Sequence, residues 1–164
     1  MEKKSPSIGM AFLLVSLSTA TFWSAVSLMA PEAIALTCTI TGTSGNDDLV
    51  GTDGNDVICG LEGDDHIDGL GGDDRIRGGS GNDVISGGLG NDEIKGGVGD
   101  DVIVGGHGRD NVHGGGGSDL IFGGPNADSL NGGPGDDVIR GGRGDDDLGK
   151  GFGVEPGQER KSVV

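Results

Sequence analysis

The sequence predicts an all-β solenoid, a chain wound as a flattened coil of short strands and tight turns. Three observations carry that expectation. Residues 42–149 divide into twelve consecutive nonapeptides with no insertion or deletion, from "GTSGNDDLV" (42–50) through "GGSGNDVIS" (78–86) and "GGLGNDEIK" (87–95) to "GGRGDDDLG" (141–149). The first position is Gly and the sixth is Asp in all twelve units, and the eighth is always Leu, Ile or Val. A fixed short period of this kind is the signature of a repeat architecture in which each unit buries its apolar side only against its neighbours.

Each column has a physical reading. The position-eight residue, flanked by variable residues, predicts a three-residue strand with one side chain inward and two outward. The inward column is Leu49, Ile58, Ile67, Ile76, Ile85, Ile94, Ile103, Val112, Ile121, Leu130, Ile139 and Leu148. Glycines at positions one, two and four suit a turn that needs positive φ or close backbone approach. The position-six Asp stands where the turn ends and the strand begins, placed to send a carboxylate back over the loop. In the tenth unit Asn126 takes the place of the position-four Gly, and Asn tolerates left-handed geometry better than most residues.

The pattern resembles the RTX, or hemolysin-type calcium-binding, repeat family, whose unit reads G-G-x-G-x-D-x-U-x. The resemblance implies a parallel β-roll, a β-solenoid with two nonapeptides per turn and therefore about six turns. It also implies Ca²⁺ held between loops stacked on each edge. Carried over by position, the metal ligands are Asp47, Asp56, Asp65, Asp74, Asp83, Asp92, Asp101, Asp110, Asp119, Asp128, Asp137 and Asp146, completed by loop carbonyls. Five gaps between loops on each edge set an upper expectation of ~10 ions, each taking six or more oxygens. Thr43, Thr52, Leu61 and Leu70 occupy position two of the first four units. The loops of Asp83, Asp92, Asp101 and Asp110 fit the pattern best.

Composition makes the same demand for a cation. One aliphatic side chain per nine residues is little burial to set against the ordering of a glycine-rich chain. The repeats also carry 23 Asp and Glu against 6 Lys and Arg. Ca²⁺ takes six to eight oxygens from carboxylates and carbonyls, whereas Mg²⁺ sheds water reluctantly. Without metal the same composition describes an acidic disordered segment.

The flanking segments are different material. Residues 1–35 join a basic start, "MEKK", to a long uncharged apolar run and a small-x-small "AIA" at 33–35. This reads as a secretory signal peptide cut after Ala35, with an uncleaved anchor as the alternative. The expected destination is extracellular, with no membrane insertion after cleavage. Residues 36–41 are expected to cap the first turn, and residues 150–164 to form a polar, disordered tail in which Phe152 and Val154 are placed to cover the last turn. Given 18 residues per turn, Cys59 stacks near Thr41, three residues from Cys38, and an oxidising compartment favours a bridge between these two cysteines.

Other motifs dissolve into the repeat. "GDDDLGKG" (144–151) lacks the hydroxyl residue of a phosphate-binding loop and carries three Asp that repel phosphate. His66, His107 and His113 fit no zinc spacing and sit at variable positions. Paired acids such as Asp136–Asp137 contain a position-six Asp, so calcium ligation explains them more simply than glycosidase chemistry. Columns seven and nine contain no Thr, which disfavours an ice-binding roll. The acidic balance disfavours nucleic acid and anionic membranes as partners. The expectation is therefore a non-enzymatic, calcium-binding structural or adhesion module. A non-catalytic remnant or accessory chain of a larger RTX enzyme or toxin is the alternative, and no protein or glycan partner is named.

Overall fold

A computed structural model describes residues 37–149. The expected signal peptide and tail, with Phe152 and Val154, lie outside the described residues. These residues form thirteen strands: β1 (Ile40–Thr41), β2 (Asp48–Val50), β3 (Val57–Glu62), β4 (His66–Asp68), β5 (Arg75–Ser80), β6 (Val84–Leu89), β7 (Glu93–Val98), β8 (Val102–His107), β9 (Asn111–Gly116), β10 (Leu120–Pro125), β11 (Ser129–Asn131), β12 (Val138–Arg143) and β13 (Asp147–Leu148). Odd-numbered strands stack in chain order into one seven-stranded sheet, and even-numbered strands into a second sheet of six. Every pairing is parallel and joins residues 18 apart, as in Ile58↔Ile76 and Ile76↔Ile94. Two nonapeptides therefore make one turn of a parallel β-roll.

Most strands are longer than the three residues expected. Val57–Glu62 and seven others run six residues, from position seven of one unit to position three of the next. The inside–outside alternation simply continues past the aliphatic: in β5 Ile76 is buried, Arg77 exposed and Gly78 buried again. Position one is thus an inward-facing strand residue, extended rather than left-handed. It is Gly because of what lies inside, as the loop geometry below shows.

The core is two facing columns of single aliphatics. Ile58, Ile67, Ile76, Ile85, Ile94, Ile103, Val112, Ile121 and Leu130 are fully buried. Leu49, Ile139 and Leu148 are only partly so, because the end turns have a neighbour on one side only.

Ile40 and Thr41 pair with Ile58 and Cys59 and extend the first sheet by one strand. The Thr39 Oγ1 accepts from the Val57 N–H at 2.9 Å, and a disulfide joins Cys38 to Cys59 with the Cα atoms 6.0 Å apart. A link closing a loop of this length stabilises by about 3 kcal/mol in the chain-entropy picture. Reduction should therefore cost roughly that amount in urea unfolding carried out in calcium. An unchanged midpoint after reduction would mean that the first turn holds without the link.

Candidate metal centre

The loops stack on the two edges of the roll and bring the position-six aspartates into two files. Asp47, Asp65, Asp83, Asp101, Asp119 and Asp137 run along one edge; Asp56, Asp74, Asp92, Asp110, Asp128 and Asp146 run along the other. Within a file each main-chain N–H donates to the Oδ1 of the aspartate one turn ahead. Asp65 N donates to Asp83 Oδ1 at 2.9 Å, Asp83 N to Asp101 Oδ1 at 2.9 Å, and Asp92 N to Asp110 Oδ1 at 3.0 Å. Each carboxylate thus leans back over the preceding loop and is held by it.

The second carboxylate oxygen is the informative one. In nine aspartates (Asp65, Asp74, Asp83, Asp92, Asp101, Asp110, Asp119, Asp128 and Asp137) Oδ2 is buried and has no hydrogen-bond partner. A buried polar atom left unpaired costs about 1–3 kcal/mol, more if charged, so nine in register call for an explanation. Burial is the main force raising the carboxyl of Asp101 to about 7 and those of Asp74, Asp92 and Asp110 to about 6. The N–H bond to Oδ1 opposes the rise, and neighbouring carboxylates of the file add to it.

Main-chain oxygens crowd the same place. A Cβ built on Gly87 would stand 2.5 Å from Asp92 Oδ2 and 2.5 Å from the carbonyl oxygen of Gly105. Gly60, Gly78, Gly96 and Gly114 face the equivalent pair of oxygens. Position one is therefore Gly because any side chain would fill the space into which the carboxylate points. At position four, Gly81 (φ 125°) and Gly99 (φ 136°) are left-handed, and each abuts the carbonyl oxygen of the same position one turn back. None of the main-chain bonds between loops uses a position-four carbonyl among the described residues. Asn126 adopts the left-handed form expected of it, at φ 89°.

The first two loops differ. Thr43 donates to Asp47 Oδ2 from its N–H at 2.6 Å and its Oγ1 at 2.9 Å. Thr52 does the same for Asp56, at 2.8 and 2.9 Å, and these bonds hold the Asp56 carboxyl below its ordinary value. Their carboxylates are already satisfied by the protein. Leu61 and Leu70, also at position two, keep the left-handed form at φ 89° and 70°, at a cost of roughly 1–2 kcal/mol each. They leave the Oδ2 atoms of Asp65 and Asp74 unpartnered. Asp146, in the last turn, accepts from Asp128 N at 3.1 Å and is only partly buried.

Position five carries a second ladder that the nine-residue pattern does not specify. Asn46, Asp64, Asn82 and Asp100 each accept, through Oδ1, the N–H of position five one turn ahead, at 2.8–2.9 Å in Asn46, Asp64 and Asn82 and 2.7 Å in Asp100. Asn55, Asp73 and Asn91 do so on the other edge. The two ladders run in opposite senses and lock successive loops at a fixed separation. A signal was present in the sequence, since nine of the twelve position-five residues are Asn or Asp.

The donor set is all oxygen: one carboxylate per loop amid main-chain carbonyls. Among the described residues no three His, Cys, Asp or Glu side chains converge on one point, and the three His belong to strands rather than to these loops. Hard oxygens from carboxylate and backbone fit Ca²⁺ and give zinc none of its usual nitrogen or sulfur ligands.

Comparison with known proteins agrees with this chemistry. The family model described as the RTX calcium-binding nonapeptide repeat matches in four copies, at residues 41–76, 60–94, 86–121 and 122–149. No curated protein matches the chain. Among solved structures, the chain is similar to the AlgE6R3 subunit of the Azotobacter vinelandii mannuronan C5-epimerase, determined in solution. The two are 30% identical over 46% of this chain and 50% of the other, with a TM-score of 0.38.

Proposed function

Because the chain belongs to the RTX calcium-binding nonapeptide repeat family, we propose that it is a secreted module that folds when it meets extracellular calcium and then serves as a stiff structural or adhesive element. The observation that carries this reading is the nine buried, unpartnered Oδ2 atoms, five on one edge and four on the other, held in line by the ladders of N–H bonds to Oδ1. Asp65, Asp74, Asp83, Asp92, Asp101, Asp110, Asp119, Asp128 and Asp137 hold the ions, with carbonyls of the stacked glycine loops. Bound calcium supplies the positive charge that these carboxylates lack.

This chain's own residues do the rest. Position-one glycines keep the space beside each carboxylate clear, and the N–H donors orient it. Unfolded, the same groups are scattered and hydrated, so the free energy of binding becomes free energy of folding. The signal-like "MEKK" and "AIA" elements of residues 1–35 support export to a compartment where weak extracellular calcium sites fill.

Far-UV circular dichroism of residues 36–164 tests the proposal. In chelator the spectrum should be that of a disordered chain; calcium should produce β-structure, chelation should abolish it, and Mg²⁺ should substitute poorly. Equal β-content after exhaustive metal removal would refute calcium-dependent folding. Tryptophan fluorescence cannot report the transition, since Trp23 is the only Trp and there is no Tyr.

A further inference from the structure

The two outer faces of the roll are chemically unlike. On the six-stranded sheet Val84, Val102, Leu120 and Val138 stand in register across four strands, and Arg140 at its end packs over the Phe122 ring at 5.7 Å. The seven-stranded sheet is polar instead from β5 to β11. There Arg75, Glu93, Asn111 and Ser129 form one outward row, and Arg77, Lys95, His113 and Asn131 the row beside it.

Charge is unevenly shared. Three of the six Lys and Arg residues of the repeats lie on two adjacent strands of this face, β5 and β7, in a region carrying 23 acids. Glu93 is the only acid in the two rows from β5 to β11. It is spanned from both sides, by Arg75 Nε at 3.2 Å and Lys95 Nζ at 3.2 Å. These ion pairs fix the two cations in place beside Arg77, which has no acidic partner among the described residues. Together Arg75, Ile76, Arg77, Glu93 and Lys95 line a groove of about 200 Å³.

We propose that this face binds a linear, carboxylate-bearing polysaccharide, with Arg77, Arg75 and Lys95 gripping the carboxylates and the Asn, His and Ser rows meeting the sugar hydroxyls. Guanidinium forks match planar carboxylates bidentately. From β5 to β11 the rows extend about 14 Å at the spacing of sheet strands, a span suited to an extended chain of sugars. The rows contain no aromatic ring on which a nucleobase would stack and no apolar pocket to anchor a peptide side chain. Calcium makes the site workable. The formal −17 of residues 42–149 repels a polyanion at long range, whereas nine divalent ions, one for each unpartnered carboxylate, would cancel it. The inference rests on the calcium-loaded roll proposed above.

The test is isothermal titration of the full chain with a short oligogalacturonate, in calcium, with circular dichroism of the same samples. Three variants accompany it: Arg77→Gln, the triple Arg75→Gln/Arg77→Gln/Lys95→Gln, and Arg140→Gln/Arg143→Gln as a control on the opposite sheet. Binding is expected in the wild type. It should weaken about tenfold in Arg77→Gln, the equivalent of one charge-assisted contact, and vanish in the triple variant, while the control binds normally and all keep their β-spectrum. Equal binding by the triple variant would assign the affinity to calcium bridging and overturn the proposal. So would absence of binding by a folded wild type, or stronger binding of single-stranded DNA or polyglutamate through the same residues. If the spectra prove independent of calcium, calcium-driven folding fails, and the comparison of wild type with triple variant still judges this face.

Discussion

With Asp92 and Asp110 both changed to Asn, the calcium concentration at half-folding should rise by roughly tenfold or more, an effect of about 1.4 kcal/mol per decade. The two residues are successive members of one file, the N–H of Asp92 donating to Asp110 Oδ1 at 3.0 Å, and both have an unpartnered Oδ2. Asn retains an oxygen for the N–H ladder and removes the charge. A structural acceptor would tolerate that exchange; a ligand of a divalent ion would not. The metal-free chain should respond in the opposite sense, because the buried negative charge it must otherwise accommodate is gone. Its β-content in chelator should therefore hold or rise. Asp47→Asn provides the contrast, since Thr43 already satisfies that carboxylate and the calcium midpoint should barely move. Titrations followed by circular dichroism read all three. An unmoved midpoint in the double variant, or equal shifts in it and in Asp47→Asn, would sink the assignment of the unpartnered oxygens to calcium.

That contrast marks where the sequence was legible and where it was not. The period and the aliphatic column could be read directly because a solenoid repeats one local solution, so each column averages out chance; the 18-residue register came from the resemblance to the RTX repeats. The stacking of Cys59 on Thr41 followed from that register, and the bridge to Cys38 from the register together with the expected oxidising compartment. The role of position one did not. A glycine before a turn suggests positive φ, but Gly78 and Gly96 are extended strand residues kept bare by a carboxylate oxygen that arrives from five positions later in the same unit. Nothing local reveals that approach. The separation of Asp47 and Asp56 from the rest was within reach. Thr and Leu at position two both replace glycine, yet Thr is β-branched, resists the left-handed form and carries a hydroxyl. Leu61 and Leu70 pay the strain and leave the carboxylate open, whereas Thr43 and Thr52 close it.

Acid should compete with calcium for the buried oxygens while favouring the folded roll as calcium does, and the sign follows from the direction of the carboxyl shifts. Burial raises Asp101 to about 7 and Asp74, Asp92 and Asp110 to about 6, against about 3.9 for an unfolded Asp. The folded metal-free roll therefore binds protons more tightly than the unfolded chain. Its stability grows as pH falls through 7 and 6, is fully present below the unfolded value, and is lost as pH rises through the folded values. Calcium requires the ionised form, so each proton taken up at these oxygens must leave when the ion binds. Lowering the pH from 8 to 5 should thus increase the β-structure seen in chelator and weaken calcium's affinity for the folded roll. The calcium concentration at half-folding should stay flat or fall, because the unfolded chain is already ionised over this range. Where the metal-free roll is already folded, proton release per ion should grow over the same interval. Circular dichroism at a series of pH values, with calorimetry in buffers of different ionisation enthalpy, measures both. A β-content in chelator that stays flat or falls between pH 8 and pH 5, or a calcium midpoint that rises, would show that the buried carboxylates do not take up protons on folding. The row of unpartnered oxygens would then need another explanation.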